Sequence, residues 1–248
     1  MCDLKYNVNT MTITSNLDVP ICLQKVITKM EQAIINSKFE DEGVVAIPHQ
    51  VAWRNKDTAR NERFGKPVIK KNGFKKVFKK RLFDNQVTVI FKTPGNNFVN
   101  MKVFASGKTQ MTGVKSLESA EACMEALTSI LNINGKHINT KIHLMNADVA
   151  FGSPVDRELL YKKIREDHGI VVSFQPEIHP SVKIGYYVNP SRTGKCQKDV
   201  PCDGKEKDCC KKVTVMVFHT GKIIITGANQ TSQIDEAVQF VASVLRSM

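Results

Sequence analysis

The sequence predicts an α+β fold made of two repeats, in which one continuous antiparallel sheet carries helices on one face only. The first observation behind this prediction is a motif that occurs twice, V-F-x-(S/T)-G-K-x-x-x-T-G, which begins at Val103 and again at Val217. The second is that each half orders its periodic segments as strand, helix, about four strands and helix. Two such halves can join as one sheet whose helices cover a single face, so the other face is left bare.

Each copy of the motif predicts two strands joined by a tight turn. Gly107 and Gly221 supply the turn, because glycine adopts a positive φ without steric cost. An ordinary half-exposed hairpin would explain one copy, whereas two copies in register favour a shared functional surface. Alternation along a strand places one set of side chains on that surface: Phe104, Ser106, Lys108, Gln110 and Thr112 in the first copy, and Phe218, Thr220, Lys222, Ile224 and Thr226 in the second.

Four amphipathic helices are predicted, each with apolar residues at helical spacing. They begin after Pro20, at Ser116, after Pro154 and at Ser232, where Ser232 and Asp235 resemble a capping box. The apolar stripe of the third helix is predicted as Val155, Leu159, Leu160 and Ile164.

The repeats are predicted to span residues 1–136 and 137–248. A second pair of similar segments supports this division, because residues 9–19 share Asn-Thr, Asn, Asp and Val with residues 139–149. The first of these segments predicts a strand over Val8–Ile13 and a turn at Ser15-Asn16.

Each repeat contains an insertion. The first, at about 38–80, is strongly basic with interleaved aromatic residues, a composition that suits phosphate contacts and stacking but also a mobile loop or a localisation signal. The second, at about 189–212, holds four cysteines that could bind zinc, although the spacing lacks paired C-x2-C knuckles and redox-labile thiols are the alternative. These cysteines are Cys196, Cys202, Cys209 and Cys210. We expect no cofactor.

The bulk composition points to a polyanionic partner. The net charge is +12 and the isoelectric point is about 9.4, which most simply indicates nucleic acid. No apolar run approaches the roughly 20 residues of a membrane span, and the start shows no signal peptide, so we expect an intracellular protein. No zinc-protease motif, P-loop, dinucleotide fingerprint or nucleophile elbow occurs, and we therefore expect no enzymatic activity.

The duplicated hairpin followed by a helix resembles the core of the TATA-box-binding protein family. Asn16-Leu17-Asp18 on the opening strand and the corner Pro176–Pro180 resemble the same family, and the resemblance covers nearly the whole chain except the two insertions. A distant paralogue and a version carried by a large DNA virus both fit. The resemblance implies a saddle whose concave sheet face lies along the DNA minor groove, with pairs of phenylalanines that wedge between base steps and kink the duplex.

The resemblance also implies which residues contact DNA. The wedges would be Phe83, Phe104, His179 and Phe218; His179 replaces an apolar aromatic, so we expect a weaker or pH-sensitive kink at that end. The family's central asparagines fall on Thr10 and Thr140, and a slip of one residue would instead place Asn9 and Asn139 on the face. The other implied contacts are Thr12, Ile142, Lys102, Ser106, Lys108, Gln110, Thr112, Met216, Thr220, Lys222, Ile224 and Thr226.

The function implied is that of a general transcription initiation factor that binds and bends duplex DNA. A transcription factor IIB-like protein would dock at Pro176, Glu177 and Ile178, followed by the RNA polymerase machinery, in the nucleus or in a viral replication compartment or virion. The chief alternative is an architectural or non-specific DNA-binding protein that lost TATA preference. A protein-interaction scaffold on the same fold is the alternative from another class, and an enzyme ranks third because some glycosylases contain a related saddle.

Overall fold

A computed structural model describes residues 4–36, 43–47, 52–54, 61–63, 68–71, 74–77, 85–133, 137–197 and 210–248. The chain forms two compact units. The N-terminal unit is Met11–Lys141, and the C-terminal unit combines Met1–Thr10 with Ile142–Met248. These units differ from the predicted repeats, whose boundary at 136/137 stays a prediction.

The described residues form fourteen strands and four α-helices. The strands are β1 (Tyr6–Leu17), β2 (Gly43–Ile47), β3 (Ala52–Arg54), β4 (Asn61–Arg63), β5 (Val68–Lys71), β6 (Phe74–Val77), β7 (Gln86–Thr93), β8 (Asn97–Phe104), β9 (Lys108–Val114), β10 (His137–Ala150), β11 (Val171–Gln175), β12 (His179–Val188), β13 (Lys211–Val217) and β14 (Lys222–Ala228). The helices are α1 (Leu23–Ile35), α2 (Leu117–Leu131), α3 (Arg157–Glu166) and α4 (Thr231–Arg246).

The N-terminal unit is an antiparallel sheet with two helices on one face. Its strands follow the order β1-β9-β8-β7-β2-β3-β4, while β5 and β6 pair only with each other. Helix α1 packs on β7 and on α2, and α2 packs on β7 and β9. The core between these layers is mainly apolar, and its buried residues include Ile13, Val89, Met101, Val103, Met111, Val26, Met30, Met124 and Leu127. The buried hydroxyl of Thr109 is satisfied by the backbone carbonyl of Ser15 at 3.1 Å.

The C-terminal unit repeats this arrangement. Its strands follow the order β11-β12-β13-β14-β10, with α3 packed on β11 and β12 and α4 packed on β12, β13 and β14. One buried polar side chain joins the layers, because Tyr186 on β12 donates its hydroxyl to Glu236 on α4 at 3.0 Å. Burial raises the pKa of Tyr186, and the hydrogen bond to Glu236 raises it further.

The two copies of the motif form matching hairpins. In β8–β9, Met101 lies opposite Met111 and Lys102 opposite Gln110. In β13–β14, the residues 114 positions later pair in the same way, Val215 with Ile225 and Met216 with Ile224. The predicted strand, glycine turn and strand are therefore confirmed in both copies.

Three local predictions were wrong. No turn forms at Ser15-Asn16, because these residues pair with Thr109 and Lys108 and extend β1 to Leu17. Leu159 is exposed, since the inward stripe of the short helix α3 is Leu160 and Ile164. Helix α4 starts one residue earlier than predicted, and Gln233 rather than Asp235 caps it by accepting the backbone N–H groups of Asn229 at 2.9 Å and Gln230 at 3.4 Å.

The first insertion contributes strands to the edge of the N-terminal sheet. Gly43 and Val44 of β2 pair with Lys92 and Phe91 of β7, and β3 then pairs with β2. A phosphate-binding role for this basic stretch stays a prediction. Within the described part of the chain, no helix combines the length and the apolar composition needed to cross a membrane.

The turn at Gly221 offers a direct test of the hairpin geometry. Its φ is +79°, and a Cβ there would collide with the carbonyl oxygen of Ser153. We expect Gly221→Ala to lower the free energy of unfolding by about 3 kcal/mol or more, measured by urea denaturation. Gly152→Ala is the matched control, because φ is +92° there and a Cβ would meet no atom within 4 Å. It should cost only about 1–2 kcal/mol, and equal costs for both variants would contradict the packed turn.

Candidate nucleic-acid interface

Each unit has a sheet face that none of the described helices covers, which we call its open face. On β8 of the N-terminal unit, Val99, Met101 and Val103 are fully buried towards the helices. The residues between them, Asn100 and Lys102, are half-exposed on the other side. Further half-exposed residues of this open face are Thr12, Thr14, Asn16, Phe104, Gln110 and Thr112.

Cross-strand pairing arranges the open face of the N-terminal unit in rows. One row joins Thr14, Gln110, Lys102 and Thr88 across four strands. The next joins Thr12, Thr112, Asn100 and Ile90. The centre of this face is therefore polar, with one cation, two carboxamides and several hydroxyls.

The open face of the C-terminal unit has the same rows with different side chains. One row joins Asp148, Ile224, Met216 and Lys183, and the next joins Asn146, Thr226, Thr214 and Gly185. The hydroxyl of Thr226 donates to the Oδ1 atom of Asn146. The first row is therefore apolar at its centre with charged groups at its ends, whereas the second row is polar.

An aromatic pair lies at the hairpin end of the C-terminal unit. The rings of Phe218 and His179 are tilted by 51° with centroids 6.0 Å apart, within the usual range for interacting aromatic rings. Ser181 fixes the imidazole, because its backbone N–H donates to His179 Nδ1 at 3.3 Å and its Oγ lies 2.9 Å from the same atom. The structure thus brings together two of the four predicted wedges.

Phe104 occupies the equivalent position in the N-terminal unit. It is half-exposed like Phe218, and in both hairpins the turn closes through a bond from the glycine N–H to the phenylalanine carbonyl, at 2.9 Å for Gly107 and 3.0 Å for Gly221. The predicted fourth wedge, Phe83, lies outside the described residues.

The turns carry exposed cations and hydroxyls. Ser106, Thr220, Lys108 and Lys222 are all exposed. Lys222 Nζ lies 3.1 Å from the carboxylate of Asp148, with both side chains partly in solvent. Ion pairs in such a setting contribute only about 0–1 kcal/mol, so a stronger anion can compete for this lysine.

The pairing of each opening strand with the second strand of the motif hairpin contains a bulge. In β1, Met11 pairs with Val114 and Thr12 pairs with Thr112, so the extra residue is Gly113 of β9.

Near the start of β1, Tyr6 lies against α4, where burial and a hydrogen bond to Asp235 raise the pKa of Tyr6 to about 12. Asn9 is exposed and Thr10 is half-exposed.

The same bulge occurs opposite β10, where Met145 pairs with Ala228 and Asn146 with Thr226, so the extra residue is Gly227 of β14. Thr140 Oγ1 lies 3.2 Å from Oγ of the buried Ser15, so Thr140 lies with the helix-facing set of the N-terminal unit. Its neighbour Asn139 is exposed, and Ile142 is half-exposed. DNA contacts by Thr10, Thr140 and Ile142 stay predictions.

Comparisons with known proteins point to one family. A family model described as transcription factor TFIID (or TATA-binding protein, TBP) matches residues 140–248. A TATA-box-binding protein-like protein of Acanthamoeba polyphaga mimivirus is 30% identical over 271 residues, covering 97% of this chain and 65% of that protein. The TATA-box-binding protein of Saccharomyces cerevisiae is 28% identical over 148 residues, covering 58% of this chain and 50% of that protein.

A solved structure of Methanococcus jannaschii TBP aligns with a TM-score of 0.54 at 15% identity, covering 98% of this chain and 99% of that one. The chain is a divergent TBP-like protein. The predicted fold class is confirmed by this structural likeness. The TBP-like chain spans about half to two thirds of the length of the curated relatives named above.

The corner Pro176–Pro180 of this TBP-like protein is strongly exposed. Pro176 and Glu177 are exposed, and the side chain of Ile178 is 75% exposed, the largest value among the large apolar residues that the structure describes. The corner is held in place because Arg157 donates to the carbonyl of Pro180 at 2.5 Å and its guanidinium lies 5.2 Å from the ring centroid of Phe174. A single exposed isoleucine is common on protein surfaces, so docking of a partner at this corner stays a prediction.

The cysteine cluster is only partly described. Cys196 is half-exposed and Cys210 is buried, while Cys202 and Cys209 lie outside the described residues. Among the described residues, no group of three or more histidine, cysteine or carboxylate side chains could hold a metal ion. The absence of a cofactor and the alternative of zinc both stay predictions.

The sequence analysis missed several open-face residues, among them Asn100, Thr214 and Phe98. Phe98 precedes Phe104 by an even number of residues in the unbroken strand β8, so both rings lie on the open face. Phe98 is 50% exposed. Extending the alternation of the motif back to the start of β8 would have found it.

Proposed function

We propose that this chain binds duplex DNA through its open faces, in the minor groove, and bends it to nucleate transcription initiation. The observation that carries the proposal is the pair of half-exposed phenylalanines, Phe104 and Phe218, at the ends of two hairpins of identical register. A half-exposed ring beside a tight turn can enter a base step, because little of its surface is committed to the core.

The charge distribution supports the same proposal. The net charge is +12, and the exposed lysines Lys108 and Lys222 flank the two turns. Lysines beside an inserted ring can contact the phosphates on either side of the opened step. The names of the relatives, which describe TATA-box-binding proteins, fit a minor-groove ligand rich in A·T pairs.

The proposed partners and place follow from the same reasoning. A transcription factor IIB-like protein would dock on the exposed corner at Glu177 and Ile178, and the polymerase machinery would follow. The protein would act in the nucleus, or in a viral replication compartment or virion, since one relative is a mimivirus protein. We propose a binding role and no enzymatic one.

A second candidate is an architectural DNA-binding protein without strict TATA preference. The observation that favours it is the polar centre of the N-terminal open face, where Lys102 and Gln110 replace apolar groove contacts. A scaffold that binds a DNA-mimicking protein is the third candidate, and it predicts no duplex bending at all.

The phenylalanines provide the main test. We expect Phe104→Ala and Phe218→Ala each to weaken binding by about 1–3 kcal/mol and together to abolish bending, because stacking on the opened step is lost. Bending is measured by energy transfer between dyes at the ends of a TATA-containing duplex. Leu159→Ala is the control, since it removes an exposed apolar side chain from α3 on the helix side. Unchanged bending in the double variant would overturn the proposal.

His179 provides a test in which a substitution should strengthen DNA binding instead of weakening it. An imidazole removes less apolar area from water than a phenyl ring, so His179→Phe should strengthen binding by on the order of 1 kcal/mol and enlarge the bend. His179→Ala should reduce both quantities. His219→Phe, at the exposed turn residue next to Phe218, is the control and should change neither. A smaller bend in His179→Phe would show that this residue is no wedge.

The corner can be tested separately from DNA binding. Ile178→Asp and Glu177→Lys should abolish formation of a ternary complex with a purified transcription factor IIB while leaving the duplex affinity unchanged, because both residues are exposed on the turn. The complex is detected by a mobility shift of the protein–DNA band. Val171→Asp on the adjacent strand β11 replaces another exposed apolar residue and should leave the ternary complex intact. Equal loss in all three variants would contradict docking at the corner.

A further inference from the structure

The two open faces differ at structurally matched positions. Gln110 and Asn100 in the N-terminal unit occupy the places of Ile224 and Thr214 in the C-terminal unit, 114 residues later and in the same register. The strands pair in the same register in both hairpins, so the backbone presents these different side chains in the same way. The difference therefore concerns what each face can recognise.

The carboxamides of the N-terminal face are available to a ligand. Gln110 and Asn100 are half-exposed, and no described side chain or backbone group forms a hydrogen bond with either amide. Each amide offers an acceptor oxygen and an NH₂ donor. The face can therefore satisfy both acceptors and donors on a base edge.

The C-terminal face has no carboxamide at the two matched positions. Ile224 and the neighbouring Met216 have no oxygen, and the Oδ1 atom of Asn146 is oriented towards Thr226, from which it accepts a hydrogen bond. The carboxylate of Asp148 is engaged by Lys222 at 3.1 Å. Thr214 ends in a short hydroxyl close to the sheet, whereas a carboxamide reaches further towards a ligand.

The minor groove distinguishes base pairs chiefly by one donor. A·T pairs present only acceptors there, whereas a G·C pair adds the exocyclic N2 amino group of guanine. Buried against apolar side chains, that amino group would lose its hydrogen bond to water without a replacement. A carboxamide oxygen could accept it instead.

We propose that the C-terminal unit accepts only A·T pairs at its apolar row, whereas the N-terminal unit accommodates G·C pairs through Gln110 and Asn100. This inference rests on the proposed minor-groove binding. It specifies the ligand as a duplex that is restricted to A·T pairs only where the C-terminal unit contacts it. Gln110 and Asn100 are diagonal neighbours across β8 and β9, which separates them by about 7–8 Å, or roughly two base-pair steps of 3.4 Å. We therefore expect two base-pair positions, about two steps apart, at which a G·C pair is tolerated; we call these the tolerant positions.

The test scans single G·C replacements through an uninterrupted A·T site and measures the dissociation constant of the full chain for each duplex by fluorescence anisotropy. At the positions read by the C-terminal unit, a G·C pair should weaken binding by about 5- to 100-fold, and at the tolerant positions by less than about threefold. Replacing guanine by inosine removes only the N2 amino group. It should restore binding at the restricted positions.

Exchanging side chains between the two units shows which unit contacts each base-pair position. Gln110→Ile with Asn100→Thr gives these two positions the residues of the C-terminal face and should create an inosine-sensitive penalty at the tolerant positions. Ile224→Gln with Thr214→Asn should remove the penalty at the restricted positions. Neither exchange alters the net charge, so phosphate attraction is matched. The residues lie on the solvent side of the sheet, and an unchanged circular dichroism spectrum would confirm folding.

Each outcome decides between the alternatives. A penalty that is equal at all positions, or one that inosine leaves in place, would overturn this inference while leaving DNA binding intact. The latter result would assign the penalty to duplex stiffness. If the chain binds none of the duplexes, the proposed function itself fails. Penalties that move with the exchanged side chains would support the inference.

Discussion

The structure depends on one constraint, the strict alternation of side chains in antiparallel strands that carry helices on one face. In β8, Val99, Met101 and Val103 are fully buried and supply the apolar contacts to the helix layer. The alternate residues of the strand are consequently not needed for the core. They can be polar, charged or aromatic at little cost in stability, and the candidate interface consists of such residues.

This constraint also explains how much of the structure the sequence could predict. Both hairpins, the helix beginning at Ser116 and the buried stripes follow from period and turn chemistry, which are local properties. The bulges opposite Met11 and Met145 follow less directly, although their extra residues are Gly113 and Gly227, and an isolated glycine inside a strand is typical of a bulge. Alternation carried past such a bulge assigns side chains to the wrong face. The absence of a turn at Ser15-Asn16 has a similar cause, since tertiary pairing with β9 overrides the local turn preference.

Contacts between distant residues were predictable only in part. The resemblance placed His179 with Phe218, and the structure brings the two rings within 6.0 Å. The ion pair between Lys222 and Asp148 has no local signal, because it depends on the register of β14 with β10. The bond from Ser181 that orients the imidazole is local, since the two residues are two apart in β12, but no motif marks it in the sequence. The site was therefore predicted as a set of residues, whereas its electrostatic details required the fold.

The two hairpins show which part of the sequence the fold constrains. Met101 and Met111 correspond to Val215 and Ile225, so the helix-facing pair changes shape but stays apolar and buried. The open-face pair behind it changes chemistry altogether, from a cation and a carboxamide to a thioether and a sec-butyl chain. The buried side changes polarity at one matched place, Thr109 against Ile223, and there the threonine hydroxyl is satisfied by the backbone carbonyl of Ser15. A buried polar group needs such a partner, whereas a solvent face has no such requirement. The stronger divergence of the open faces is what selection by different ligand contacts would produce, because these residues contribute little to the stability of the unliganded protein.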